Sequence, residues 1–155
     1  MIREIDGDII KLLKNEDYTH CIHGCNCFHT MGKGLALSLR KEFPGVFLED
    51  RKTKYGDKNK LGTYSKATHI LSIAPIVKKI TIINAYTQFS YSNEYKVLDE
   101  KALKDVLLLI KTDFKGGKFI MPKIGCSNAG GNWEDVKLIV DEIMFEEDVT
   151  VVNYK

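Results

Sequence analysis

The sequence has little proline, no long apolar run and no strong excess of either charge. Only three of its 155 residues are proline, and no apolar run reaches the length of about 18 residues that predicts a membrane-spanning helix. Its 23 basic and 21 acidic side chains leave a net charge of +2, which lacks the concentrated basic excess of proteins that bind nucleic-acid backbones. The first residues, MIREIDGD, lack the apolar segment of a signal peptide. We therefore expect a cytoplasmic protein that binds no membrane, and a nucleic-acid partner is not favoured.

The cysteines do not form a metal-binding pattern. Cys21, Cys25 and Cys27 lie within seven residues, Cys126 stands alone, and the sequence has neither a CxxC pair nor a second cluster at zinc-finger spacing. Cys21, His23 and Cys25 alternate along the predicted strand, so their side chains would lie on the same face of the sheet. This favours buried free thiols in a reducing compartment. We expect no metal and no cofactor.

Short apolar runs alternate with stretches of helical periodicity, which predicts an α/β fold. A chain of this length with 44% hydrophobic residues can bury a core, and one domain over residues 1–155 is expected. The predicted strands form one mixed sheet: 19–25, 60–65, 69–73, 79–85, 118–122 and 149–153, with 2–5 as a further edge strand. The predicted helices are 8–14, 34–43, 44–55, 99–112 and 133–145, the second and third separated at Pro44. The charged stretch 49–60 is interpreted as a solvated face.

Two glycine-containing loops each follow a predicted strand and precede a predicted helix, where α/β sheets bind ligands. In the first loop, Gly32 and Gly34 would let backbone N–H groups approach an anion at the start of the helix, although tight turns also explain both glycines. In the second loop, Ser127, Asn128 and two glycines offer small polar groups that could wrap phosphates. Asn132 also fits the N-cap of the next helix.

Other polar and aromatic residues allow two interpretations each. Asp8 fits both a helix cap and a ligand contact. The aromatic residues of 85–95 suit either a loop that shapes a cleft or a surface turn: Tyr86, Phe89, Tyr91 and Tyr95. Tyr154 could stack on a base or belong to a frayed terminus.

Five segments occur together in one order along the chain: GDI at 7–9, HGCNC at 23–27, MGKGLALSLRKEFPG at 31–45, KLGTYS at 60–65 and MPKIGCSNAGGNW at 121–133. In this order the chain resembles the macrodomain family, and in particular the branch of yeast-type ADP-ribose-1''-phosphate phosphatases and terminal ADP-ribose glycohydrolases. The resemblance implies a three-layer α/β/α sandwich around a mixed, mostly parallel sheet of six or seven strands. It also implies a small-molecule ADP-ribose derivative as ligand, or an ADP-ribosylated protein.

The resemblance assigns site residues. It places Asp8 at the adenine amino group, Ile9 at a neighbouring backbone contact and Asn26 at the distal ribose. The two phosphate loops would then consist of Gly32, Lys33, Gly34 and Leu35, and of Ile124, Gly125, Cys126, Ser127, Asn128 and Ala129.

The glycohydrolase branch needs a lysine nucleophile and an acid that residues 82–87 and 127–129 lack. This favours the phosphatase branch, whose histidine matches His23, and we take His23 and Asn26 as the catalytic candidates. His29 is a weaker candidate. The hypotheses are a phosphatase acting on ADP-ribose-1''-phosphate, a reader of ADP-ribose, an ADP-ribosyl glycohydrolase, or a single-stranded nucleic-acid binder that uses the tyrosine-rich loop and nearby lysines.

Overall fold

The computed structural model describes residues 2–91, 96–127 and 129–154. Six strands form one mixed sheet in the order β1-β6-β5-β2-β4-β3, and all neighbours are parallel except β3 and β4. The strands are β1 (Ile2–Gly7), β2 (His20–Cys25), β3 (Tyr64–Ile73), β4 (Ile76–Tyr86), β5 (Lys118–Pro122) and β6 (Asp148–Tyr154). The predicted mixed, mostly parallel sheet is confirmed.

One part of the strand prediction was wrong. The predicted strands 60–65 and 69–73 are a single strand, β3, and Lys58–Lys60 form a short 3-10 helix instead. β3 pairs antiparallel with β4 along its whole length, from Tyr64 opposite Ala85 to Ile73 opposite Ile76. Pairing supplies backbone partners for 66–68, so the strand continues through a polar stretch that looked like a break in the sequence.

Five helices cover the two faces of the sheet. They are α1 (Ile9–Asn15), α2 (Gly34–Glu42), α3 (Gly45–Arg51), α4 (Glu100–Asp113) and α5 (Trp133–Met144). Pro44 separates α2 from α3 as predicted, because proline has no N–H to continue the helix. Asp8 and Asn132 occupy N-caps, where their side-chain oxygens accept hydrogen bonds from first-turn N–H groups.

The helices lie on opposite sides of the sheet and bury two separate cores. The apolar faces of α4 and α5, such as Leu103 and Val140, pack with Ile22 and Ile83 of the sheet. The helices α1, α2 and α3 pack on the other face, where Cys21 belongs to the core. Side chains alternate between the faces of a strand, so His23 of β2 lies on this second face. None of the described helices is long and apolar enough to cross a membrane.

Candidate functional site

A cleft of about 390 Å³ opens beyond the carboxyl ends of β2 and β5, which are parallel neighbours in the sheet. Both glycine loops contribute to it, because the carboxyl ends of parallel strands meet at one edge of a sheet. Ten residues predicted for the site line this cleft: His23, Asn26, Gly32, Lys33, Gly34, Leu35, Ile124, Gly125, Ser127 and Ala129.

Three of the other predicted residues, Asp8, Ile9 and Cys126, are not among the residues that line the cleft. Asp8 caps α1, and its Oδ1 accepts hydrogen bonds from the N–H groups of Ile10 at 3.0 Å and Lys11 at 3.2 Å. Ile9 is 5% exposed and belongs to the core, while the Cys126 thiol lies 3.4 Å from the Ile124 carbonyl oxygen. Asn128 lies outside the described residues. The capping role of Asp8 is confirmed, and ligand contacts of these four residues stay predictions.

The first loop leaves open space where its glycines lie. Gly34 has a φ of +55°, a left-handed conformation that favours glycine. A Cβ built on Gly32 or Gly34 would have no described atom within 4 Å. Internal packing therefore does not explain the lack of a side chain at Gly32, whereas a ligand in this space would.

The first turn of α2 has no side-chain cap among the described residues. In the described structure its N-cap residue, Lys33, makes no side-chain hydrogen bond to the helix, whereas α1, α4 and α5 are capped by carboxylate or amide oxygens. First-turn N–H groups without an acceptor, together with the helix dipole, form a site for an anion. α2 therefore presents this site to the cleft.

Two glycines of the second loop lie where no side chain would fit. Gly125 has a φ of +73°, and a Cβ added there would lie 2.6 Å from Leu98. A Cβ on Gly131 would lie 2.5 Å from the Gly125 carbonyl oxygen, which accepts a hydrogen bond from the Gly131 N–H at 2.6 Å. The local backbone and these close approaches therefore require glycine at both positions.

The charge of the cleft is positive. Lys33 and Lys123 are among its lining residues, and none of the lining residues that the structure describes is acidic. The Lys123 ammonium is 4.0 Å from a carboxylate oxygen of Glu4, at the limit of an ion pair, and its side chain is 38% exposed. Lys123 can therefore turn toward an anion in the cleft.

Asn26 shapes the turn that follows β2. Its Oδ1 accepts a hydrogen bond from the Phe28 N–H at 2.8 Å, and its amide donates to the Thr30 hydroxyl. Asn26 is 8% exposed at the cleft wall. The side chain thus holds the loop, and its contact with a ribose stays a prediction.

His23 lies in the floor of the cleft and is 2% exposed. Its Nε2 is 2.6 Å from Oδ1 of Asn84. Burial lowers the pKa of His23 below its usual value, against smaller opposite effects of the Asn84 hydrogen bond and of the Asp50 charge. The imidazole is therefore neutral at neutral pH. A catalytic role for His23 stays a prediction.

All four cysteines are free, and Cys21 and Cys25 are buried as their parity predicted. Cys27 is buried as well. Burial raises the pKa of the Cys25 thiol well above its usual value, and that of Cys21 to about 12. These thiols are protonated at neutral pH and are poor nucleophiles. The described residues contain no group of three or more metal-ligating side chains that could hold an ion.

The interpretation of 49–60 as a solvated face was wrong at two positions. Asp50 is 1% exposed and Lys60 is 7% exposed. The Tyr86 hydroxyl donates to Oδ1 of Asp50 at 2.7 Å. The Lys60 ammonium donates to the Cys27 carbonyl oxygen at 3.2 Å, and its nitrogen lies 4.7 Å from the centre of the Tyr86 ring. Asp50 lies four residues after Val46 on the inner face of α3, and this spacing in the sequence could have indicated that Asp50 is buried.

The aromatic residues divide between core and cleft. Tyr86 is fully buried, whereas Tyr91 is 64% exposed and lines the cleft. Phe28 packs edge to face against Tyr91 and Phe89. Tyr95 lies outside the described residues.

His29 and Tyr154 are not among the residues that line the cleft. Nε2 of His29 is 2.8 Å from the Thr53 carbonyl oxygen, so this nitrogen acts as a donor within the protein. Tyr154, at the end of β6, is 83% exposed.

The fold matches solved structures along the whole chain. A protein of unknown function from Bacteroides thetaiotaomicron superimposes with a TM-score of 0.75 at 23% identity, over 100% of this chain and 98% of that chain. The macrodomain of Mycobacterium tuberculosis DarG gives a TM-score of 0.71 at 23% identity, over 99% and 97% of the two chains. Thermosipho africanus DarTG, solved in complex with ADP-ribose, gives 0.71 at 17% identity, over 99% of this chain and 41% of that one.

Sequence comparison adds relatives of similar length. The uncharacterized 17.5 kDa protein from the tk-vs intergenic region of Enterobacteria phage T4 is 32% identical over 161 residues, which cover 100% of this chain and 97% of the phage protein. The chain belongs to one family with this phage protein, and its fold is the macrodomain fold. The human ADP-ribose glycohydrolase OARD1 is 29% identical to this macrodomain over 157 residues, which cover 99% of this chain and 90% of the human protein. No family model matches the chain.

Proposed function

We propose that this macrodomain binds ADP-ribose derivatives in the cleft and removes the terminal phosphate of ADP-ribose-1''-phosphate. The observation that carries the binding proposal is the start of α2, where open space at Gly32 and Gly34 meets first-turn N–H groups without a side-chain cap. Lys33 and Lys123 add positive charge to the same cleft. Such a site suits a diphosphate. The same ligand is favoured by the ADP-ribose complex of the T. africanus protein, 41% of which matches this fold.

The orientation that we propose for the ligand combines the position of the loops with the family resemblance. The diphosphate would lie between the loop of Gly32 and the loop of Gly125. Asp8, at the carboxyl end of β1 on one side of the sheet, would then face adenine. The distal ribose would extend toward Asn26 and His23, in the wall and floor of the cleft.

The proposed reaction is hydrolysis of a phosphate monoester. Water attacks the terminal phosphorus, the bond from phosphorus to the 1'' oxygen breaks, and the products are inorganic phosphate and ADP-ribose. The neutral imidazole of His23 would accept a proton from the attacking water and return it to the 1'' oxygen as that oxygen leaves, and the α2 N–H groups with Lys33 would hold the phosphates in place. General acid-base help of this kind typically contributes roughly two to four powers of ten in rate.

A second candidate function is hydrolysis of an ADP-ribosyl bond to protein, and the similarity to human OARD1 favours it. Residues 82–87 contain no lysine, however, and no described lining residue of the cleft is an acid. This chain would therefore have to cleave that bond with groups other than a lysine and acid pair. The products distinguish the two reactions.

The test is to incubate the protein with ADP-ribose-1''-phosphate and, separately, with ADP-ribosylated protein, and to measure released phosphate and released ADP-ribose. We expect phosphate release, reduced at least tenfold in His23→Ala, while affinity for ADP-ribose changes less than threefold, as expected for a group that acts mainly in the transition state. Release of ADP-ribose from the ADP-ribosylated protein, without release of phosphate, would favour the glycohydrolase over the phosphatase. Binding of ADP-ribose without release of either product would indicate that the protein is a reader of ADP-ribose.

A further inference from the structure

A continuous run of hydrogen bonds leads from α3 to the histidine in the cleft floor. Nε2 of His23 is 2.6 Å from Oδ1 of Asn84, and Nδ2 of Asn84 is 3.0 Å from the Ser65 hydroxyl. That hydroxyl is 2.8 Å from the hydroxyl of Tyr86, which is 2.7 Å from Oδ1 of Asp50. All members except Ser65 are at most 2% exposed, so water does not compete for the bond between His23 and Asn84 or for the bond between Tyr86 and Asp50. The run crosses β2, β4, β3 and α3.

The direction of each bond is fixed by the groups at its ends. Nδ2 of Asn84 also lies 3.0 Å from the Val46 carbonyl oxygen, which can only accept, so this atom is the amide nitrogen and Oδ1 faces His23. Because Oδ1 can only accept, Nε2 of His23 must carry the proton. At the far end the Asp50 carboxylate accepts from Tyr86, and the Tyr86 oxygen then accepts from the Ser65 hydroxyl. Every donor in the run has an acceptor.

A neutral imidazole carries one N–H, so holding it on Nε2 leaves Nδ1 with the only basic lone pair. We propose that Asn84, oriented through Ser65 and Tyr86 by Asp50, fixes His23 in the Nε2–H tautomer and makes Nδ1 the atom that accepts the proton during phosphate release. The proposal rests on the proposed phosphatase function for its last step. Asn84 and Tyr86 are positioning residues in this account, because they act through His23.

The other groups around the ring leave this arrangement intact. The Cys25 sulfur lies 3.8 Å from Nδ1 and 3.7 Å from Nε2, and burial keeps this thiol protonated by raising its pKa. Asp50 and Lys60 are the buried charged side chains among the described residues, and both contact Tyr86 rather than the imidazole. Neither is placed to take the proton from Nε2.

The test reads the tautomer directly and needs no substrate. In protein labelled with nitrogen-15 in histidine, the ring nitrogens of His23 are followed by NMR from pH 6 to 8. We expect Nε2 protonated and Nδ1 unprotonated throughout. A proton on Nδ1, or averaging between the two tautomers, would overturn the proposal even if phosphate is released. If the tautomer is as expected but no phosphate is released, the result would instead contradict the proposed function.

Two substitutions test the role of Asn84. Asn84→Asp keeps the shape of the side chain and the oxygen that accepts from Nε2, so the Nε2–H tautomer should persist. The carboxylate stabilises the imidazolium, so the acidic limb of the pH-rate profile for phosphate release should move to higher pH. Asn84→Ala should give averaged tautomers and lower kcat at least tenfold with KM changed less than threefold. Thr81→Val removes a buried hydroxyl from the opposite face of β4 and serves as the control. A fixed Nε2–H tautomer in a folded Asn84→Ala protein would show that Asn84 does not set it.

Discussion

A carboxylate placed in the first loop should abolish ADP-ribose binding without harming the fold. A side chain at Gly32 would enter open space, since no described atom lies within 4 Å of a Cβ there, and Gly32 has no positive φ that a substitution would strain. In Gly32→Glu the new charge would lie about 5 Å from a bound phosphate, and with an effective dielectric constant of about 20 the repulsion is about 3 kcal/mol. Affinity should therefore fall by more than about 100-fold.

The assay is isothermal titration with ADP-ribose, with folding checked by circular dichroism. Ser72→Glu adds the same charge on the exposed edge strand β3 and should leave affinity unchanged. Binding of Gly32→Glu within threefold of the wild type, in a folded protein, would refute the placement of the diphosphate at the start of α2.

Three further predictions concern the buried residues and the capping aspartate. Tyr86→Phe removes the donor to the buried Asp50 carboxylate, so the free energy of unfolding should fall by about 2 kcal/mol and the Tm by roughly 4 to 8 °C. Urea unfolding and thermal unfolding measure these changes, and unchanged stability would mean that another group donates to Asp50. Burial depresses the pKa of His23, so the contribution of His23 to stability is complete above about pH 6.5 and is lost as the pH falls through the folded pKa. Burial also lowers the pKa values of His20 and His69, so the decline in urea unfolding between pH 8 and 5 should be smaller in His23→Ala than in the wild type, and equal declines would contradict the prediction. Asp8→Ala should weaken ADP-ribose by about 1.5 to 3 kcal/mol but leave ribose-5-phosphate binding unchanged, and equal losses for both ligands would leave Asp8 only as a cap.

Local signals in the sequence predicted most of the fold. Pro44 marks the break between α2 and α3, and Asp8 and Asn132 lie at the caps where short polar side chains are favoured. The two glycine loops were expected to meet, because both follow strands that end at the same sheet edge, and the cleft lies there. These features depend on residues close in sequence or on a general rule of α/β sheets.

The parts that could not be predicted depend on contacts between distant segments. Asp50 and Lys60 belong to a charged stretch, and apart from the four-residue spacing of Asp50 from Val46, nothing local indicates that they are buried when α3 and the turn after it pack beside Tyr86. The continuity of β3 likewise depends on pairing with β4. Asn84 stands between apolar neighbours in β4, and its partners, Val46 and His23, are 38 and 61 residues away.

The central claim is that the cleft between the two glycine loops binds ADP-ribose. The most direct test is a calorimetric titration of ADP-ribose into the wild-type protein and into Gly32→Glu under the same conditions. We expect saturable one-to-one binding by the wild type and none by the variant at the same concentrations. Absence of binding by the folded wild-type protein, or equal binding by both proteins, would contradict it.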